Sequence, residues 1–141
     1  MINNFRLRKN IIRLSLGIIL LFFSGSLNGQ KITGLTSQQF YEQYGDQLND
    51  GDLLIIDGRS ERMFALGRIG NAVNIDADSE DLEKQMQQYL DRPLIVVYCT
   101  TIRRTIDIVN KLKGVYDGEI IGITDGIKGW KQNNLPIKRG K

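Results

Sequence analysis

The residues best suited to chemistry crowd one short stretch, Cys99-Thr100-Thr101-Ile102-Arg103-Arg104-Thr105. Cys99 is the single cysteine of the 141-residue chain, so no intramolecular disulfide can form. The chain has no histidine. That excludes a Ser-His-Asp or Cys-His arrangement within it. It also removes the commonest zinc ligand, and one cysteine cannot supply a thiolate zinc site. Chemistry is left to the thiol, carboxylates, hydroxyls, Lys/Arg and backbone groups. Cys99 directly follows the apolar run Leu94-Ile95-Val96-Val97-Tyr98. A thiol at the carboxyl end of a buried strand sits where open α/β sheets place their ligands. The short loop after it runs into a helix, whose first N–H groups have no intrahelical partner and, with the dipole, form an anion site. The same field favours an anionic sulfur, and Arg103 and Arg104 add to it. Such a sulfur can attack an electrophilic sulfur, and the N–H cradle stabilises the persulfide formed. The alternative is a small buried thiol with no chemistry.

The elements that must position this stretch alternate. Thr36-Ser37-Gln38-Gln39 fits a capping box opening a helix with Phe40, Tyr41 and Tyr44 on its apolar side. Asn49-Asp50-Gly51 is turn chemistry. Leu53 to Ile56 is a continuous apolar run ending at Asp57, which suggests a strand covered on both faces. Ser60 is placed to cap a short helix through Leu66, stopped by Gly67. Ala72 to Ile75 reads as a brief strand. Residues 79–90 read as an amphipathic helix with Leu82, Met86, Tyr89 and Leu90 on one side and Glu80, Asp81 and Glu83 in its first turn. After the Cys99 strand comes a helix with Ile106, Val109 and Leu112 at helical spacing. Glu119 to Ile123 is a strand, and Gly126 begins a last helix containing Ile127 and Trp130. The expected architecture is α/β, a central, mainly parallel sheet with helices on both faces.

The amino terminus reads differently. Residues 1–13 are basic, Leu14 to Phe23 are largely apolar, and small and polar residues follow up to Gln30. That order is the signature of a secretory signal peptide over residues 1–29. The alternative is an uncleaved membrane anchor, with Arg13 snorkelling to the interface. Either way the globular part, residues 30–141 with a core at about 36–137, is expected outside the cytoplasm, periplasmic or secreted. Contact with a membrane is expected only through an uncleaved leader. The formal charge of +3 is uneven, because the leader holds Arg6, Arg8, Lys9 and Arg13 and no acid. The remainder carries 15 basic and 16 acidic side chains. It has no basic excess to neutralise phosphates, so nucleic acid is not an expected partner.

Taken in order, the segments resemble the rhodanese family across nearly all of residues 36–137. Leu54-Ile55-Ile56-Asp57-Gly58-Arg59 is similar to that family's strand followed by Asp-x-Arg, with Glu61 in the helix after it. Gly67-Arg68-Ile69-Gly70-Asn71-Ala72-Val73-Asn74-Ile75 resembles its Gly-His-Ile-x-Gly-Ala-x-Asn-Ile segment. Val96-Val97-Tyr98-Cys99 with Arg104-Thr105 resembles its strand, nucleophile and loop-closing Arg-Ser. Asp125-Gly126-Ile127, Trp130 and Leu135-Pro136 resemble its ending. The resemblance implies a three-layer rhodanese-like fold and a sulfurtransferase in which Cys99 takes sulfur from a small anionic donor such as thiosulfate and passes it to a thiol or cyanide. It implies an active-site loop of Thr100, Thr101, Ile102, Arg103, Arg104 and Thr105, supported by Asp57, Arg59 and Arg68, and no metal or organic cofactor. Asp57 and Arg59 read more readily as an ion pair holding the loops under the site. Three positions depart from the pattern: Ile102 stands for the usual Gly, Arg68 for His and Asp125 for Gly. A β-branched Ile102 resists positive φ, so the cradle is expected to take another shape.

Three functions compete at this level. The first is the sulfurtransferase or sulfur carrier. The second is a binding module that docks a protein partner beside an exposed Ile102 and forms no persulfide. The third is phosphate or arsenate chemistry, against which the loop length argues, since the related phosphatases have a loop longer by one residue.

Overall fold

The computed structural model describes residues 30–49, 51 and 53–140. The leader expected over residues 1–29 therefore lies outside the described residues. Among the described residues no helix is long and apolar enough to cross a membrane.

Five strands form one sheet, and every pairing is parallel. They are β1 (Ile32–Leu35), β2 (Leu54–Asp57), β3 (Val73–Asn74), β4 (Leu94–Tyr98) and β5 (Glu119–Ile123), in the order β1-β5-β4-β2-β3. The helices are α1 (Ser37–Tyr44), α2 (Glu61–Ala65), α3 (Leu82–Met86), α4 (Ile102–Leu112) and α5 (Gly126–Gln132). The central strands need no polar face because both faces are covered. On one side Ile56, Ile95, Val97 and Ile120 pack with Leu82 and Met86 of α3 and Ile108, Val109 and Leu112 of α4. On the other, Ile55, Val96, Ile121 and Ile123 pack with Phe40 of α1 and Ile127 and Trp130 of α5. Alternate residues of one strand thus feed opposite cores, as the pleat requires. This is the three-layer α/β arrangement expected from the sequence.

Local chemistry accounts for the helix ends. The Thr36 side chain accepts from the Gln39 amide, and the Gln39 side chain accepts from the Thr36 amide, 2.9 Å away, so the capping box is complete. Phe40 is fully buried and its ring stacks on Tyr44 at 5.1 Å. Trp130, also fully buried, donates through Nε1 to the Pro136 carbonyl at 2.8 Å and so holds the C-terminal tail against the domain.

One strand adds to the expected elements, and three expectations need correction. Strand β1 carried no sequence signal, because four residues with Gly34 among them on a sheet edge show neither a long apolar run nor a clean alternation. The helix expected over 79–90 is shorter. The Leu82 amide bonds to the Ser79 carbonyl at 3.4 Å, so residues 79–81 turn, α3 starts at Leu82, and its last turn tightens to 3-10 at Gln87–Tyr89. Glu80 and Asp81 therefore precede the helix, and only Glu83 lies in its first turn. Ser60 sits at the N-cap of α2 without making a side-chain cap bond. On α4 the buried stripe is Thr105, Ile108, Val109 and Leu112, whereas Ile106 is 49% exposed. It sits one residue, about 100°, away from Thr105 around the helix.

Candidate active site at the carboxyl ends of β2 and β4

Strands β2 and β4 lie side by side, with Asp57 in register with Tyr98, so their carboxyl ends open onto one region. At the end of β2 the chain turns through Asp57-Gly58-Arg59. The Asp57 carboxylate takes Arg59 Nε at 2.9 Å, Arg59 Nη2 at 2.6 Å, the Arg59 amide at 3.0 Å and the Tyr98 hydroxyl at 2.6 Å. Arg59 Nη2 also donates to the Gly67 carbonyl at 2.6 Å, and Asn74 Nδ2 donates to the Arg59 carbonyl at 2.7 Å. Tyr98 in turn accepts from the Ile69 amide at 3.1 Å. Asp57 is fully buried and Arg59 is 2% exposed. Burial alone would lower the Arg59 guanidinium's affinity for its proton. The hydrogen bonds and charge of Asp57 outweigh it and leave the pKa raised. Burial pushes the Tyr98 hydroxyl upward, and the Asp57 charge pushes it further. The pair expected to hold the loops under the site is therefore present, and Tyr98, which the sequence reading took only as strand, joins it.

At the end of β4, Cys99 is fully buried and packs in the core on the α3/α4 side. Its carbonyl accepts from the Ile127 amide at 2.9 Å. Gly126 has φ +56°, and a Cβ there would fall 2.3 Å from the Cys99 oxygen. Only glycine allows α5 to start this close behind the cysteine. In front of it the chain passes through Thr100 and Thr101 and enters α4 at Ile102. Thr101 is the N-cap by backbone geometry, and its carbonyl takes the Thr105 amide and hydroxyl, both at 3.2 Å. Among the described residues no backbone group accepts from the amides of Thr100 through Arg104. They are the free donors of a helix start. Thr105 is buried against Gly122, while Thr100, Thr101 and Arg103 are exposed.

Ile102 answers the question its type raised. It is 48% exposed and opens the helix, and no residue from 99 to 105 has positive φ. The loop is thereby cut to two residues, and the cradle is the first turn of α4 itself. Arg104 spans the site. Its Nη2 meets Asp78 at 2.7 Å and Asp76 at 4.0 Å. The Asp78 hydrogen bond is the first cause of its raised pKa, with the Cys99 charge adding to it against burial. Asp76 and Asp78 escaped the sequence reading. They lie in the turn after β3, and only the sheet order brings that turn to α4.

Two clefts flank the start of α4. One, of about 140 Å³, is lined by Arg59, Ser60, Met63, Asp78, Thr100 and Arg104. The other, of about 670 Å³, runs along α4 past Arg103, Asp107, Asn110 and Lys111. Arg68 lines neither. It pairs with the C-terminal tail, exchanging backbone hydrogen bonds with Lys138 at 2.9 Å, bonding Gly140 through its side chain and standing 4.8 Å over the Phe64 ring. The position read as a charge supporting the site thus anchors the tail instead.

The chain matches the rhodanese-like domain family over residues 40–133. An uncharacterized protein of Buchnera aphidicola is 32% identical over 90 residues, which cover 62% of this chain and 61% of that protein. A tRNA uridine(34) hydroxylase, also of Buchnera aphidicola, is 33% identical over 107 residues, covering 68% of this chain and only 32% of the hydroxylase. The solved structure of a thiosulfate sulfurtransferase from Pseudomonas aeruginosa shares the fold, with a TM-score of 0.61 at 16% identity over 77% of this chain and 20% of that one. Because the family match runs from α1 through the Cys99 loop and into α5, the chain belongs to the rhodanese-like domain family.

Proposed function

We propose that the protein is a sulfurtransferase or sulfur carrier with Cys99 as its nucleophile. The observation that carries this reading is the placement of Cys99 between the end of β4 and the unpartnered amides that begin α4, with Arg104 in the first turn of that helix. The Cys99 sulfur, having given up its proton, attacks the outer sulfur of thiosulfate. The S–S bond of thiosulfate breaks, and sulfite leaves with the bonding pair. Cys99 is left as a persulfide, its terminal sulfur anionic and aimed at the amide cradle. A thiolate or cyanide then attacks that terminal sulfur and regenerates the Cys99 thiolate, giving a persulfide or thiocyanate. Neither half-reaction needs a metal or organic cofactor. The fully covered sulfur requires a local opening beside the start of α4 before the donor can reach it.

A second reading rests on Ile102 and Ile106, both about half exposed on α4. On it, the domain docks a protein partner there and Cys99 stays inert. We also propose that residues 1–29 export the domain, as their charge and apolar pattern suggest.

The deciding experiment treats the reduced protein and its Cys99→Ser variant with thiosulfate and records intact masses. A gain of one sulfur, about 32 Da, in the parent alone is the expected result and the mark of the persulfide chemistry of a nucleophilic cysteine. No gain from thiosulfate or from a persulfide donor, in folded protein with a free thiol, would leave the docking reading.

A further inference from the structure

We infer that the folded domain rests on an anionic lipid surface through the end of α2, helix α5 and the C-terminal tail, with Leu66 entering the headgroup layer and Lys128, Lys131, Lys138 and Arg139 facing lipid phosphates. The inference goes beyond sulfur transfer and does not depend on it. It also differs from membrane contact through the leader, because here the domain itself makes the contact.

The near-neutral charge of residues 30–141 hides a segregation. Residues 126–141 hold Lys128, Lys131, Lys138, Arg139 and Lys141 and no acid, whereas residues 30–125 hold 10 basic and 16 acidic side chains. The first four of those bases are exposed. Two contacts fold the stretch back on itself: Trp130 Nε1 donates to the Pro136 carbonyl, and the Leu135 amide donates to the Trp130 carbonyl at 3.1 Å. The tail then meets α2. Lys138 exchanges backbone hydrogen bonds with Arg68, and a Cβ on Gly67 would fall 2.7 Å from Ile137 Cγ2 and 3.9 Å from Arg139 Cγ. Leu66, the residue before Gly67, is 62% exposed, more than any other large apolar side chain among the described residues. Arg62 precedes it by one helical turn and is also exposed. An exposed leucine is thus set beside the basic tail by a contact between segments 70 positions apart.

The elements α1, α2, α5 and the tail share one layer, since Phe40, Phe64, Trp130 and Ile137 pack in the same core. Its exposed acids among the described residues are Glu42, Asp46 and Glu61, against five exposed bases. The acid-rich segment 76–91, with six acids and only Lys84 in return, belongs with α3 to the opposite layer. Basic side chains around an exposed apolar residue are what an anionic lipid interface binds. The charges are spread along the stretch instead of converging on one point, which suits an extended surface better than a single partner group. The export pattern of residues 1–29 also brings the chain to a membrane.

The test places a fluorescent reporter at the leucine. Leu66→Trp, made in the full chain, keeps an apolar side chain there, and Trp130 is fully buried and gives a constant background. The protein is mixed with phosphatidylcholine vesicles, with or without phosphatidylglycerol, carrying brominated acyl chains. A blue shift and bromine quenching are expected only with phosphatidylglycerol, and both should vanish at about 1 M salt, where charges are screened within ~3 Å. Lys128→Gln with Lys131→Gln, and separately Lys138→Gln with Arg139→Gln, should each weaken the response at least about tenfold, as losing two basic side chains near an anionic surface implies. The first pair leaves the tail contacts untouched and covers the case in which the second loosens the tail. Because the readout is local to position 66, a leader that inserts by itself gives vesicle binding with an unshifted tryptophan, and that result overturns the inference. So do equal quenching with phosphatidylcholine alone, an affinity that neither pair changes, or a shift produced as strongly by polyglutamate or RNA as by the vesicles.

Discussion

The carboxyl ends of β2 and β4 are neighbours in one sheet, and they treat polar groups in opposite ways. At the end of β2, both Asp57 oxygens are occupied by Arg59 and Tyr98, and the loop is locked to Gly67 and Asn74. At the end of β4, the amides from Thr100 to Arg104 have no backbone acceptor among the described residues, and Arg104 is tied only to exposed acids. Buried, satisfied polar groups specify a shape, whereas donors left open beside a nucleophile are available to a ligand. On the proposed function, the first end is a frame and the second is the working surface that it holds in place. Arg59 belongs to both, through the single nitrogen the frame does not use.

The sharpest way to break this contrast is to remove the frame's carboxylate. Asp57→Ala leaves the Arg59 guanidinium buried without its counter-charge, and losses of about 3–5 kcal/mol are typical of such a change. Arg104→Ala, at the working end, removes an exposed pair and should cost less than about 1 kcal/mol. Urea unfolding of both variants against the parent measures the difference. Equal losses would mean that the two strand ends do the same job.

A smaller effect comes from Tyr98→Phe, which deletes one hydrogen bond to Asp57. It should cost about 1–3 kcal/mol near neutral pH, the penalty for leaving a buried acceptor short of a donor. Its pH dependence sharpens the assignment. The folded state holds the Tyr98 hydroxyl above its ordinary value, by burial first and by the Asp57 charge second. The resulting stability is complete below the unfolded value of about 10 and is lost as pH rises beyond it toward the folded value. The parent should therefore lose stability above about pH 10 more steeply than Tyr98→Phe, the other tyrosines being common to both. Parallel curves would mean that the Asp57–Tyr98 contact contributes nothing to the frame.

Much of the frame was legible in the sequence. Leu53 to Ile56 and Leu94 to Tyr98 are apolar without alternation, and only strands buried on both faces read that way. Thr36 with Gln39, and Gly126 ahead of Ile127 and Trp130, marked helix starts by chemistry that acts over three or four residues. Pairing across the fold left weaker traces. Asp78 meets Arg104 across 26 positions, and Tyr98 meets Asp57 across 41. No local pattern encodes either contact. Arg68 shows the complementary error. Its place in a family-like segment suggested a charge at the site, but the tail that claims it lies 70 residues on, where sequence reading saw only an ending. Cys99 itself was legible as the residue after a buried strand. Its complete burial was not, because that depends on where α4 begins.

That starting point is set by Ile102, and it gives the smallest stability effect with the most to teach. Isoleucine at 102 takes helical backbone angles and brings the first turn of α4 up to Thr101. Ile102→Gly removes an exposed side chain and frees the backbone, at a cost of about 0.5–1 kcal/mol or less at this first helical position. With glycine there, the first turn frays, the loop after Cys99 lengthens, and the amides can wrap the sulfur. Sulfur loading of Cys99 by thiosulfate should then become severalfold faster, read as the rate of mass gain, although the protein is slightly less stable. A rate unchanged by this substitution would mean that the donor does not reach Cys99 through the first turn of α4. Since Thr100 and Arg104 also line the smaller cleft, access would then have to come from the α2 side, past Met63 and Ser60.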